Sequence, residues 1–200
     1  MRHRRFNRPP VFELSSTDSK YAKRLTADWL LTCLQHGVPL KSELLECFQW
    51  ATGSIPAIVE EICDVKTSEG TMPRIVEKFA SNIEDEDLDT TIGELARLCE
   101  RNSRIRDRVL RFIKNECAAA AKGTRCPLVF TNADQALERL FDLSPESRLL
   151  CTYIFLKETY SPIETFFEDT LNVQQYANLG VLAGMLHIPE PVTPRENRER

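Results

Sequence analysis

The stretch at residues 142–188 reads DLSPESRLLCTYIFLKETYSPIETFFEDTLNVQQYANLGVLAGMLHI and predicts three short helices in close succession. Ser144-Pro145 and Ser161-Pro162 each place a hydroxyl before a proline. The hydroxyl can cap a helix, and proline suits the first helical position because that N–H has no intrahelical partner. Asn172 can cap the third helix in the same way. The stretch therefore predicts a helical class, and it contains no reactive motif.

Upstream of this stretch, apolar residues recur at intervals of three and four, which is the spacing of one face of an α-helix. Gly37, Gly53 and Gly123 stand where glycine commonly ends a helix. The segment 124–130 is the one piece that we expect to be extended. The other predicted helices span residues 18–36, 41–51, 56–65, 73–82, 92–101, 104–122 and 131–141. We therefore predict an all-α fold of about nine or ten short helices packed as antiparallel neighbours, with no significant sheet.

Polar side chains that could accept a hydrogen bond from a free backbone N–H stand before three of these helices. Ser54 is expected to cap the third helix, and Thr90 or Thr91 the fifth. Thr131 and Asp134 resemble a capping box at the start of the seventh helix. The acidic run EDEDLD just before the fifth helix is expected to be a solvated loop, because acids are favourable near a helix N-terminus. The alternative, a cation site, lacks the aspartate spacing of a calcium loop.

Glycine, proline and the extended piece coincide near residues 123–130, which predicts a domain boundary there. We expect a flexible basic arm at 1–14 and a helical subdomain at 15–123. A second helical subdomain at 124–188 is either separate from the first or continuous with it. The last segment, 189–200, is rich in proline and charge and is expected to be disordered.

The composition places broad limits on function. The 200 residues carry a net charge of −4 and are 42% apolar, which allows a real core and argues against a chain that binds polyanions over its whole surface. The apolar runs are too short for a membrane span, and no apolar segment follows the basic N-terminus as in a secretory signal. We therefore expect a cytoplasmic protein with no membrane partner.

The cysteines are odd in number and show no C-x-x-C pair or nearby histidine, as a zinc site would need. Most fall on apolar faces of predicted helices, where a free thiol acts as a small apolar side chain. A metal or redox role is the alternative, and no cofactor is expected. The seven are Cys33, Cys47, Cys63, Cys99, Cys117, Cys126 and Cys151.

Catalytic motifs are missing from the sequence. The glycines form neither of the common phosphate-binding patterns, and the nucleophile-elbow and zinc-protease patterns are also missing. His3 lies in the arm, whereas His36 and His187 end predicted helices, where the helix dipole favours a protonated imidazole. We therefore predict that the protein is not an enzyme, while a site assembled from distant residues stays an alternative.

A basic stripe is the strongest candidate for a binding surface. Its six residues are spaced by 4, 3, 4, 3 and 3 positions, so on one continuous helix they would share a face. That face could meet nucleic-acid phosphates or an acidic protein, or be an ordinary solvated surface diluted by neighbouring acids, and Asn102-Ser103 could break the helix. The stripe residues are Arg97, Arg101, Arg104, Arg108, Arg111 and Lys114, and the arm adds Arg2, Arg4, Arg5 and Arg8.

The last two predicted helices also suggest a helix-turn-helix. However, the second of them, at 173–187, contains no lysine or arginine, its only amide side chains are Gln174, Gln175 and Asn178, and its middle at 179–186 is apolar on nearly all sides. A recognition helix needs basic or amide side chains toward the groove, whereas an apolar helix is buried. We favour a core helix, in which Gly180 and Gly184 permit a close helix crossing.

One resemblance covers roughly the last quarter of the chain. LSPE and the pair Leu149-Leu150, then PIE with Phe166-Phe167, and finally Leu182 with Met185-Leu186, resemble a helical region ahead of the ATPase core in some bacterial AAA-family ATPases. The resemblance implies a detached N-terminal helical domain of such an ATPase, because no nucleotide-binding core follows here. It transfers no catalytic residue.

Taken together, these observations predict a non-catalytic helical module that binds a protein partner or regulates one. It would use a helix groove or the basic stripe. The alternative is a nucleic-acid-binding helical protein that uses the basic arm and the stripe. The oligomeric state is open.

Overall fold

The computed structural model describes residues 15–65, 72–84, 86–122, 126–171 and 176–186 of the 200-residue chain. Within these ranges the chain forms α-helices and one π-helix, and no strand, so the predicted all-α class is confirmed. The helices are α1 Ser16–Gln35, α2 Ser42–Thr52, α3 Ile55–Cys63, α4 Arg74–Ile83, α5 Leu88–Arg101, α6 Ser103–Ala120, α7 Leu128–Phe141, α8 Pro145–Thr159, α9 Ser161–Thr165, the π-helix Phe166–Leu171 and α10 Tyr176–Met185.

Helices α1 and α2 form the centre of the fold. α1 packs against α2, α6 and α10, and α2 also packs against α5, α9 and the π-helix. Leu30 of α1 and Leu44 and Phe48 of α2 are fully buried. Each such side chain contributes about 1.5–3 kcal/mol by leaving water. Buried residues from 15–122 and from 126–186 belong to one apolar cluster, so the late helices complete a core that the early ones begin.

The first helix begins with a capping box that joins Ser15 and Asp18. The Ser15 hydroxyl oxygen accepts the N–H of Asp18 at 3.3 Å, and the Asp18 carboxylate accepts the N–H of Ser15 at 2.9 Å. Two backbone donors are thereby satisfied at once. Gly37 and Gly53 follow α1 and α2 with φ of 79° and 74°, the left-handed conformation predicted for both.

Two predicted caps in the first half differ from the structure. Ser54 occupies the N-cap position of α3 as predicted, but its side chain makes no cap bond, and its hydroxyl instead donates to Oε2 of Glu116 at 3.1 Å. Helix α5 begins at Leu88 because Asp87 accepts the N–H of Thr90 at 2.8 Å, so neither threonine is the cap. The acidic run is therefore only partly a loop, since its last two residues are helical.

The start of α7 also differs from prediction. Pro127 occupies the N-cap position, and residues 128–130, expected to be extended, are helical. The Thr131 hydroxyl donates to the carbonyl of Pro127 at 3.1 Å, which places Thr131 within the first turn and excludes the predicted capping box. Further along, Ser144 caps α8 as predicted, but Ser161 is the first residue of α9 rather than its cap. Asn172 lies outside the described residues.

Helix α10 buries Val181 and Met185 against the core, which agrees with a core helix. Gly184 lies close to α1, as predicted for a crossing point, whereas Gly180 has open space around it. Within the described ranges, every helix is too short or too polar to cross a lipid bilayer.

Candidate interaction surfaces

The six residues of the basic stripe do not lie on one helix. α5 ends at Arg101 and α6 begins at Ser103, and Asn102 between them has φ −135° and ψ 103°. The Asn102 side chain caps α6 by accepting the N–H of Ile105 at 3.1 Å. The break anticipated at this asparagine is present, and the stripe is therefore divided between two helices.

The two stripe residues on α5, Arg97 and Arg101, both interact with Glu94. The side-chain amide of Asn82 donates to Oε2 of Glu94 at 3.2 Å, and the Arg97 guanidinium donates to Oε1. These hydrogen bonds, the one from Asn82 first, hold the pKa of Glu94 below its usual value, and the charge of Arg101 acts in the same direction. The positive charge on α5 is thus largely engaged by this carboxylate.

The part of the stripe on α6 lines a surface depression of about 360 Å³ beside α3. The Arg108 guanidinium donates to Oε1 of Glu61 at 2.9 Å, which ties α6 to α3. Arg104 and Arg111 form no ion pair with any described residue. The lining residues are Glu61, Arg104, Asp107, Arg108, Arg111, Phe112 and Asn115.

The remaining predicted basic residues do not join this depression. Lys114 lies on α6 but is half-buried and does not line it. The four arm arginines, Arg2, Arg4, Arg5 and Arg8, lie outside the described residues, as does His187. The structure therefore gathers three of the ten predicted basic residues at one place, together with two carboxylates.

A different surface, on α7 and α8, carries most of the exposed apolar side chains. Of the ten large ones found among the described residues, eight lie on these two consecutive helices. We call these eight the hairpin surface. They are Leu128 (76% exposed), Val129 (56%), Leu140 (75%), Phe141 (67%), Leu149 (40%), Leu150 (38%), Ile154 (49%) and Phe155 (41%).

Arg148 joins the two helices of the hairpin. Its Nε donates to Oδ1 of Asp134 at 2.8 Å, and its Nη1 donates to the carbonyl of Leu143 at 2.9 Å. Glu138 adds a second carboxylate at 3.6 Å from Nη1. Between the helices, Asp142 ends α7 in the left-handed conformation, with φ 50°. These contacts hold α7 against α8.

Aromatic rings attach the hairpin to the core. The ring of Phe130 lies 4.9 Å from that of Tyr21 on α1 and 6.0 Å from that of Phe155. Tyr153 of α8 contacts the rings of Trp29 and Phe167 at 5.7 and 4.8 Å. Edge-to-face rings at such distances stabilise packing beyond their buried area. The inner sides of α7 and α8 are thus fixed while their outer sides stay exposed.

Other reactive side chains give no catalytic arrangement within the described residues. Burial raises the pKa of the Cys33, Cys99 and Cys117 thiols to about 12 and that of Cys47 well above its usual value. Such thiols stay protonated and unreactive. His36 is the C-cap of α1, and no cluster of three or more potential metal ligands occurs in the described part of the chain.

No family model, curated protein or solved structure matches this chain. The resemblance to a helical region of AAA-family ATPases stays a prediction.

Sequence reasoning did not find the hairpin surface. One signal was present in the sequence. The residues of α8 are apolar on all sides, and the pairs Leu128-Val129 and Leu140-Phe141 lie at the two ends of α7. An apolar helix predicts burial, but the structure buries only Tyr153 and Leu156 of α8 and only Phe130 of α7.

Proposed function

We propose that this chain is a non-catalytic protein-interaction module whose hairpin surface binds a helix of another protein chain. The observation that supports it is the concentration of eight of ten exposed large apolar side chains on α7 and α8. Exposed apolar residues on a monomeric protein are normally scattered, so their concentration on two consecutive helices favours an interaction site.

The charges around the hairpin indicate the chemistry of the partner. Residues 126–159 contain five acids and three bases, a net charge of −2. Two of the three bases are already paired within the chain, Arg148 with Asp134 and Lys157 with Glu168. Asp142, Glu146 and Glu158 form no ion pair with any described residue. The complementary partner is a helix with an apolar face flanked by lysine or arginine.

The outer face of α8 is the part best suited to anchor such a helix. Leu150 and Ile154 are four residues apart and therefore lie one above the other on the helix surface. They are 38% and 49% exposed, so each has area left to bury. Apolar anchors of this kind dominate the affinity of many interfaces, because they leave water completely when the partner docks.

The test compares the full-length wild type with the double variant Leu150→Glu/Ile154→Glu. Proteins that cross-link to the wild type in cells and not to the variant are identified, and the identified protein is then purified and titrated against both. We expect the variant to weaken this purified complex by roughly 100-fold, since two anchors become charged.

A matched control is Ile75→Glu together with Leu88→Glu. These two side chains, 36% and 41% exposed, lie on α4 and α5, away from the hairpin. The control should bind as the wild type does. Equal binding of the hairpin variant and the wild type would contradict the proposal, and so would equal loss in the control variant.

A second candidate function is nucleic-acid binding at the α6 depression. The observation in its favour is that Arg104 and Arg111 are without an ion-pair partner among the described residues while they line the same depression. Glu61 and Asp107 lie there too and reduce the local positive potential, which is why this candidate comes second.

Phosphate contacts make binding depend steeply on salt. Under this candidate, Arg104→Ala/Arg111→Ala should weaken binding to a single-stranded oligonucleotide and flatten the salt dependence. Arg97→Ala is the control, because Glu94 already pairs with that arginine. Absence of binding at about 50 mM salt, a concentration at which phosphate contacts are strong, would exclude the candidate.

A further inference from the structure

Helix α7 is poorly covered by its own chain. Phe130 is the only buried residue among its 14. An isolated helix of this length is marginal in water, and most helices gain their stability by packing an apolar face. Arg148 and the rings around Phe130 hold one side of α7, but a neighbouring side, roughly a quarter turn around the helix, is exposed to solvent.

That neighbouring side carries an apolar row, which we call the α7 stripe. It consists of Val129, Ala133, Ala136 and Leu140, all exposed to solvent. The intervals of 4, 3 and 4 residues are those of the seam along which two helices pack in a coiled coil. The two alanines in the middle permit a close approach, and the larger residues stand at the ends.

The α7 stripe is symmetric about its own centre. The midpoint between Val129 and Leu140 falls between Asp134 and Gln135, and the midpoint between the two alanines falls at the same place. An antiparallel copy of the helix would therefore set Val129 against Leu140 and Ala133 against Ala136. Each of these pairs would occur twice, once in each direction. A two-fold interface requires such a self-complementary patch.

We propose that the α7 stripe is a self-association surface on which α7 of a second copy of this chain packs antiparallel. The inference rests on the proposed function only in taking the hairpin as a protein-binding region, and it names the occupant of α7. The outer face of α8 stays available for the other partner.

The charges agree with this pairing. Beside the α7 stripe, on the side away from Phe130, Arg139 is the only ionisable side chain. In the antiparallel arrangement it lies near Asn132 of the other copy. The two copies of Arg139 stand about nine residues apart along the axis, or about 13 Å. That exceeds the screening length of about 8 Å at physiological salt, so they do not oppose the contact.

The size of the contact predicts its strength. A 14-residue helix is about 21 Å long. One pair of such helices buries less than the roughly 1,600 Å² of a standard stable interface. The dimer should therefore be reversible, with a mass that rises from 22.9 kDa toward twice that value as concentration increases.

Two single variants of the full chain, Val129→Glu and Leu140→Lys, test the pairing. Each should raise the dimer dissociation constant by roughly tenfold or more in sedimentation equilibrium, because a charge then faces an apolar residue. An equimolar mixture of the two should associate again, because Glu at 129 of one chain meets Lys at 140 of the other. The second contact of that mixed dimer is the unaltered Leu140–Val129 pair.

The side chains concerned are 56% and 75% exposed, so both variants should fold, as far-UV circular dichroism can verify. Ile75→Glu on α4, where the side chain is 36% exposed and away from the hairpin, is the control and should dimerise as the wild type does. A wild type that stays monomeric to about 200 µM, well above the micromolar range of weak complexes, would overturn the inference. Dimerisation that both single variants retain, or a mixture that fails to reassociate, would also overturn it.

These outcomes separate the inference from the proposed function. If the chain is monomeric and Leu150→Glu/Ile154→Glu still loses an identified partner, the self-association is wrong and the proposed function stands. If the α7 variants lose self-association and the α8 variant loses no partner, the self-association stands and the proposed function is wrong.

Discussion

A Cβ atom added to Gly184 of α10 would lie 3.0 Å from Nε2 of His36 at the end of α1. It would also lie 3.3 Å from Cγ2 of Thr32. The two helices therefore cross at a separation that only glycine fits without adjustment. Gly180, one turn earlier on α10, has no atom within 4 Å of such a Cβ and provides a matched comparison.

We expect Gly180→Ala to increase the free energy of unfolding by up to about 1 kcal/mol, the difference in helix propensity between the residues. Gly184→Ala should gain less or lose stability, because the imidazole of His36 must move. Urea unfolding followed by circular dichroism measures both. In a His36→Ala background, Gly184→Ala should stabilise the protein as much as Gly180→Ala does, because the imidazole no longer has to move. Equal effects of the two glycine substitutions in the wild type would contradict the close crossing of α1 and α10.

Replacing Arg148 should loosen the hairpin. Its side chain is 14% exposed and bonds to Asp134 and to the carbonyl of Leu143. We expect Arg148→Ala to lower the free energy of unfolding by roughly 1–3 kcal/mol, since the half-buried carbonyl of Leu143 and the Asp134 carboxylate lose their donor. The free energy of unfolding of Arg148→Lys should lie between those of the wild type and Arg148→Ala, because an ammonium lacks the planar, forked N–H donors of a guanidinium.

The control for this change is Arg139→Ala. Arg139 lies on the same hairpin, is exposed and forms no ion pair with any described residue. Its removal should change stability by less than about 0.5 kcal/mol, as for most surface substitutions. Equal effects at both arginines would show that Arg148 does not hold the hairpin together.

Thiol reactivity should divide the cysteines by burial. Cys126 is exposed and should react first with an aromatic disulfide reagent at pH 8. Cys33, Cys47, Cys99 and Cys117 are buried, and burial raises the pKa of each thiol, so they should react only when the chain opens.

Mass spectrometry of partly labelled protein identifies the reacting residue. Cys126→Ser should remove the fast phase and leave the slow phase unchanged. Rapid labelling of Cys47 in the folded protein would contradict the predicted order.

Asp87 should make stability depend on acid pH. Its hydrogen bonds from Thr90, the backbone bond first, hold the pKa of the carboxyl below 3.8. Because the folded-state pKa is lowered, this contribution is fully present above the unfolded-state pKa and is lost as pH falls through the folded-state pKa. The carboxylate should therefore stabilise α5 at neutral pH and cease to do so in strong acid.

Asp87→Asn is the informative variant, because asparagine can cap the helix but does not titrate. The stability difference between wild type and variant should be largest at neutral pH and shrink as pH falls through the lowered folded-state pKa of the carboxyl. Urea unfolding at several pH values measures it. A difference that does not vary with pH would mean that the carboxylate charge is irrelevant to the cap.

Short-range capping rules explain both the helix ends that were predicted correctly and the helix starts that were misplaced. Gly37 and Gly53 end α1 and α2 as expected, because a left-handed residue at that position is a local requirement. The starts of α5 and α7 were misplaced because two candidate caps compete within a few residues. Asp87 accepts the N–H of Thr90 at 2.8 Å and so starts α5 before the threonines, and Pro127 stands at the N-cap position of α7 without a side-chain cap bond.

The binding surfaces depended more on tertiary structure. The sequence indicated six basic residues at helical spacing, but the break at Asn102 and the pairing of Arg97 with Glu94 leave only part of that row together. Glu61, which is far away in sequence, lies among the α6 arginines because α3 packs beside α6. No spacing rule could have placed that carboxylate there.

The sequence by itself determined that this chain is helical, where most of its helices end and that it lacks the common catalytic motifs, because those properties follow from periodicity and short-range bonding. Only the tertiary structure decided which apolar faces are covered. α8 is apolar on all sides and would be expected to be buried, yet the core is already filled by α1, α2 and their neighbours. The outer sides of α7 and α8 therefore stay exposed to solvent.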